Sequence, residues 1–236
     1  MSDTSLVLGV LGGMGPAATL EFLNKLHAYT PAKSDQDHIR VLMDLNPKVP
    51  DRNGPTSAAA GAVLAEMAGA LAGAGADVLA MPCNTAHAHA DLIQRASGLP
   101  LIDLIETGSA AARDLGARRV GVLGTKGALR LYREYLAAQA MGILALSPQR
   151  QDDFMATIYK IKSGDLGPTI RAEMAAYAAD LVADGAEAVI AGCTEAPLVL
   201  GAKDVKAPFL DPGDLLARRC VAVCLGQEPV PALPGA

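Results

Sequence analysis

The chain resembles itself at a fixed interval, and this constrains its fold more than any other feature. "LGVLGGMG" at 8–15 is echoed by "VGVLGTKG" at 120–127, an offset of 112 residues. "GADVLAMPCNTA" at 75–86 is echoed by "GAEAVIAGCTEA" at 185–196, an offset of 110, and "PLID" at 100–103 by "PFLD" at 208–211, an offset of 108. Three ordered pairs at nearly one spacing argue for two similar halves.

Within each half, short apolar runs alternate with helix-like runs. "SLVLGVLG", "HIRVLMDL", "DVLAMP" and "PLIDL" read as strands of the first half. Continuous, β-branched runs of this length suit strands buried on both faces of a parallel sheet. Pro16 suits the first turn of a helix from Ala17 to about His27. Thr56 suits the N-cap of an Ala-rich helix ending near Gly73, and a further helix is expected from about Thr85. The expectation is an α/β protein with two similar parallel-sheet domains related by a pseudo-two-fold, with a cleft between them. The first domain spans 1–104, with a C-terminal helix at 212–228 packing back on it. The second spans 105–211, and 229–236 reads as a frayed tail.

Composition narrows the function classes. Half of the residues are hydrophobic (51%) and 19% are charged, so the chain can bury a sizeable core. With no Trp, 3 Phe and 5 Tyr, Ala, Val, Leu and Ile must build that core. A net charge of −5 without a basic block argues against nucleic acid and anionic membrane as partners. The amino terminus carries no Lys or Arg before its apolar stretch, and no run is long enough to span a bilayer. Four cysteines in 236 residues do not make a disulfide framework, so a cytoplasmic protein with reduced thiols is expected.

Two of those thiols sit at equivalent places in the repeat. Cys83 and Cys193 each stand where an apolar strand ends and a helix is expected to begin. In open α/β sheets that edge is where ligands bind. Free N–H groups at a helix start would also favour a thiolate. Cys220 and Cys224, four apart on one helix face among Ala, Val and Leu, read as core.

"GVLGGMGPAAT", "VPDR", "MPCNTAH", "GVLGT" and "GCTE" together resemble the aspartate/glutamate racemase family, in particular its aspartate-racemase branch. The motifs run from residue 8 to residue 211. The resemblance implies two α/β domains, a homodimer, an acidic amino acid as small-molecule substrate, and racemisation without a cofactor. It makes Cys83 and Cys193 the acid/base pair, one for each face of the α-carbon. It places Asn84, Thr85, Thr125 and Thr194 around the α-carboxylate and amino group. Arg52 and Lys162 match the basic positions that hold a side-chain carboxylate. Met14 is expected to contact the substrate, and Glu195 to orient the backbone or the substrate ammonium.

The chemistry fits those roles. A thiolate and a thiol interconvert as base and acid, so one arrangement works in both directions. The enolate-like carbanion spreads its charge onto the α-carboxylate, where N–H groups and hydroxyls stabilise it. Other uses of the same residues are a cis–trans isomerase of the maleate type and a cysteine hydrolase with Cys83 as nucleophile and His87 as base. A zinc site from Cys83, His87 and Cys193 lacks an evident fourth ligand. A fourth reading is a two-lobed binding protein without catalysis. The glycines at 9, 12, 13 and 15 do not fit a dinucleotide fingerprint. His87 is placed to tune Cys83 or hold its helix, and His89 is expected at the surface or in a dimer contact.

Overall fold

The computed structural model describes residues 5–52 and 57–233. The chain divides into two compact units, Met1–Leu104 with Gly213–Ala236, and Ile105–Pro212.

The first unit is built on a four-stranded parallel sheet of order β2-β1-β3-β4. Its strands are β1 (Leu8–Gly12), β2 (Val41–Leu45), β3 (Val78–Ala80) and β4 (Leu101–Ile102), and its helices include α1 (Pro16–Tyr29), α2 (Ser57–Gly73) and α3 (Ala90–Ser97). The second unit repeats the plan in the order β6-β5-β7-β8. Its strands are β5 (Arg119–Val122), β6 (Gly142–Leu144), β7 (Ala188–Ile190) and β8 (Phe209–Leu210). Helices α4 (Leu104–Asp114), α5 (Lys126–Ala138), α6 (Pro148–Lys162), α7 (Pro168–Ala183) and α8 (Pro212–Cys224) complete the chain. Each sequence echo falls on a matching strand: β1 with β5, β3 with β7, β4 with β8.

The packing repeats with the sequence. A Cβ on Gly9 of β1 would lie 2.7 Å from Leu79 Cδ2, 2.9 Å from Ala76 Cβ and 3.4 Å from Leu71 Cβ. A Cβ on Gly121 of β5 would lie 3.0 Å from both Ala186 Cβ and Leu181 Cβ. A side chain at either position would push the covering helix off its sheet, so glycine sets the same close approach in both halves. Leu64, Met67 and Met81 pack in the core of the first unit, and Phe154, Ile158 and Met174 in that of the second. Cys83 and Cys193 belong to these respective cores.

Several boundaries differ from the sequence reading. The second strand begins at Val41 rather than His38, because its partner β1 begins at Leu8, which pairs with Val41. Asp77 is not in β3; its carboxylate instead accepts the Val7 N–H at 2.8 Å. The segment after Cys83 is a 3₁₀ turn, Thr85–His89, before α3 begins. Thr56, the expected cap of α2, and residues 234–236 of the expected tail lie outside the described residues.

Helix α8 is tied to the first unit at both ends. Near its start, Asp214 hydrogen-bonds the Tyr29 hydroxyl, and Arg218 lies over the Tyr29 ring at 3.8 Å. At its end, the Cys224 carbonyl accepts the Leu6 N–H at 2.9 Å. Cys220 and Cys224 are fully buried on this helix. No helix among the described residues is long and apolar enough to cross a membrane.

Candidate active site

In the first unit, β3 ends at Ala80 and Cys83 stands three residues beyond it, 5% exposed. Its backbone is held by His87. The Leu104 N–H donates to His87 Nε2 at 3.1 Å, which makes Nε2 the acceptor nitrogen. The proton therefore sits on Nδ1, which donates to the Cys83 carbonyl at 2.9 Å. His87 is thus a neutral ring with both nitrogens engaged by backbone. It has no lone pair left to deprotonate Cys83 or to ligate a metal. This removes the base from the hydrolase reading and a ligand from the zinc reading.

Around Cys83, Asn84 and Thr85 are buried, as is Met14, which packs in the same core as Cys83. Met14 follows Gly13, whose φ of +94° and 3.0 Å hydrogen bond to Thr19 Oγ1 shape the loop after β1. Arg52 is half-buried and leans on this loop: its Nη2 donates to the Met14 carbonyl at 3.4 Å and its Nη1 to the Pro50 carbonyl at 3.3 Å. Its Nε has no acceptor, and no carboxylate neutralises it, among the described residues. Such a guanidinium is fitted to receive an anion.

In the second unit, β7 ends at Ile190 and Cys193 again stands three residues beyond, 6% exposed. Here the thiol itself is engaged: Sγ donates to Glu195 Oε2 at 3.0 Å. Glu195 is 3% exposed and its other oxygen, Oε1, pairs with the Lys162 ammonium at the last residue of α6. Burial pushes the Cys193 thiol well above its ordinary range; the Glu195 charge adds to this and Lys162 opposes it.

At Cys193 this corrects the expectation that a helix start favours the thiolate. A 3₁₀ turn directly follows each cysteine, Thr85–His89 and Ala196–Leu198, and desolvation together with the Glu195 charge favours the thiol form of Cys193. Lys162 lies on Glu195, and Glu195 is engaged with Cys193 and Lys162. His89 is half-buried rather than a surface residue: its Nε2 lies 3.3 Å from Ser57 Oγ, and a Cβ on Gly61 would come within 2.8 Å of its Nδ1. Thr125 is buried and caps α5, accepting the Ala128 N–H at 3.2 Å, while Thr194 is half-buried.

Sequence reasoning passed over two residues that shape these loops. Gln151 is buried and donates to the Gly124 carbonyl at 2.9 Å, fixing the loop after β5. Thr19 bridges the loop after β1, donating to the Gly15 carbonyl at 2.9 Å. A buried Gln on an otherwise apolar helix face and a Thr in a first helical turn were the available signals.

The family described as Asp/Glu/Hydantoin racemase matches residues 11–220. The chain is similar to the broad specificity amino-acid racemase RacX of Bacillus subtilis (strain 168), at 24% identity over 235 residues, covering 94% of this chain and 100% of that protein. It is also similar to the glutamate racemase of Synechococcus sp. (strain CC9605), at 32% identity over 180 residues, 73% of this chain and 65% of that one. Among solved structures, Picrophilus torridus aspartate racemase superposes with a TM-score of 0.80 at 25% identity, covering 93% of this chain and 94% of that one. The glutamate racemase of Francisella tularensis, solved with D-glutamate, shares the fold with a TM-score of 0.71 at 18% identity, covering 98% of this chain and 84% of that one.

Proposed function

Because the chain belongs to the Asp/Glu/hydantoin racemase family, a family of amino-acid racemases, we propose that it interconverts the L and D forms of an acidic amino acid, aspartate before glutamate, through Cys83 and Cys193. The observation that carries this reading is the equivalence of the two thiols. Each stands three residues past the matching strand of a like sheet, in a position that a merely structural cysteine need not repeat.

One thiol removes the α-proton as thiolate while the other delivers a proton to the opposite face. The roles exchange in the reverse direction, so no pyridoxal phosphate is needed. Charge developing on the α-carboxylate is taken up by N–H groups and polar side chains of the loops that carry Asn84, Thr85 and Thr194. Arg52, without a carboxylate partner among the described residues, supplies the cation for the side-chain carboxylate.

The test is incubation with single L-amino acids in D₂O without added pyridoxal phosphate, following α-proton loss and chirality together. The expected result is solvent deuterium in a racemised product, fastest for aspartate. Equal turnover of acidic and neutral amino acids would replace the acidic preference with a breadth like that named for the Bacillus subtilis relative. Loss of chirality without deuterium entry would overturn the mechanism.

A further inference from the structure

The two thiols are dressed differently. Among the described residues, Cys193 Sγ donates to a buried carboxylate, and that carboxylate is in turn neutralised on its far oxygen by an ammonium. We propose that Glu195, anchored by Lys162, holds the proton on Cys193, so that the substrate-free protein carries Cys193 as the acid of the pair and Lys162 acts on this thiol through Glu195. This rests on the racemase reading, and it gives Glu195 and Lys162 positioning roles towards Cys193.

The geometry supports it in three ways. The Sγ–Oε2 distance of 3.0 Å is that of a thiol donating to a carboxylate, an arrangement that a thiolate would turn into two facing anions. Glu195 is 3% exposed, so water does not screen that repulsion. Glu195 and Lys162 are the charged groups that act on Cys193, the first raising its proton affinity and the second lowering it.

In the first half-turn Cys193 gives its proton to the α-carbon: the S–H bond breaks, the C–H bond forms, and the substrate proton passes to Cys83. The pair keeps its total charge. Return to the resting form moves one proton, net, from Cys83 to Cys193. Free L and D forms are equal in energy, so kcat/KM must be the same in both directions. The bias shows instead as different kcat and KM values for the two enantiomers.

The experiment is a pH titration of thiolate absorbance near 240 nm in full-length Cys83→Ser protein. Burial raises Cys193, Cys220 and Cys224 alike, so Cys220→Ala and Cys224→Ala are added, which leaves Cys193 as the one thiol of the chain that titrates. Glu195→Gln, which keeps the shape, should lower the midpoint by about one pH unit or more, and Lys162→Met should raise it. Opposite shifts cannot arise from a common loss of folding. A midpoint that stays or rises with Glu195→Gln, or stays or falls with Lys162→Met, overturns the inference. A protein that exchanges no α-proton overturns the racemase reading but leaves these shifts measurable, so the two failures are distinguishable.

Discussion

Cys83 and Cys193 occupy one backbone position twice, yet the groups around them have little in common. At Cys83 a neutral imidazole, His87, holds the cysteine's carbonyl. At Cys193 a carboxylate holds the thiol itself, and the residue matching His87 is Pro197, inside the 3₁₀ turn Ala196–Leu198. The strand ends are set by packing that both halves share, such as the close approach over Gly9 and over Gly121. The polar surroundings are free of that constraint and have diverged. Two like sheets therefore carry thiols in unlike settings: Cys83 held through its carbonyl by His87, and Cys193 held at its Sγ by Glu195.

Four tests sharpen or break this contrast. The largest effect is expected from Cys83→Ser and Cys193→Ser. Each should lower racemisation by about 10³-fold or more, because acid and base are both required. Racemisation at a tenth of the parent rate in either variant would show that the thiols are not a pair. His87→Leu comes next. It strands the Cys83 carbonyl and the Leu104 N–H, both buried, at about 1–3 kcal/mol each. Pro197→Ala, at the matching place, should cost under about 1 kcal/mol. Urea unfolding of both variants checks the difference, and equal losses would deny that the two loops are held differently.

Arg52→Ala should weaken aspartate turnover by roughly 10- to 150-fold in kcat/KM, about 1.5–3 kcal/mol of transition-state contact, while sparing alanine. An unchanged ratio of aspartate to alanine turnover would show that this guanidinium does not read the side chain. The smallest effect concerns alkaline stability. Burial raises the proton affinity of Cys220 in the folded state, so its contribution is complete below the unfolded thiol pKa of about 8.5 and is lost as the pH rises towards the folded value. Cys220→Ala should thus flatten the fall in unfolding free energy above pH 8.5 by about 1.4 kcal/mol per pH unit. An unaltered slope would mean that this thiol titrates alike in both states.

The sheets were legible in the sequence because the apolar runs, their glycine interruptions and the repeat all reported the same packing. The equivalent places of Cys83 and Cys193, each three residues past its strand, were legible for the same reason: both lie inside the repeat. What the sequence concealed depends on contacts between distant residues. Nothing near Glu195 announces Lys162, 33 residues earlier on a different helix. The expectation of a helix start failed after Cys83 because His87 reaches back to its carbonyl and the His87 N–H bonds the Asn84 carbonyl at 3.1 Å, and after Cys193 because the Ala196 N–H bonds the Cys193 carbonyl at 3.0 Å, each tightening the turn. His89 looked superficial because a small residue, Gly61, makes its resting place on α2, and a glycine's vacancy leaves no hydrophobic signal.

The central claim, that one thiol serves each enantiomer, is tested most directly by single-variant α-proton exchange in D₂O. Cys193→Ser and Cys83→Ser are each given pure L-aspartate and pure D-aspartate, and deuterium entry is followed by NMR. The account predicts complementary outcomes. Each variant keeps slow exchange of one enantiomer alone, a different enantiomer in each, without inversion in either. Exchange of the same enantiomer by both variants, or full racemisation by one, would contradict it.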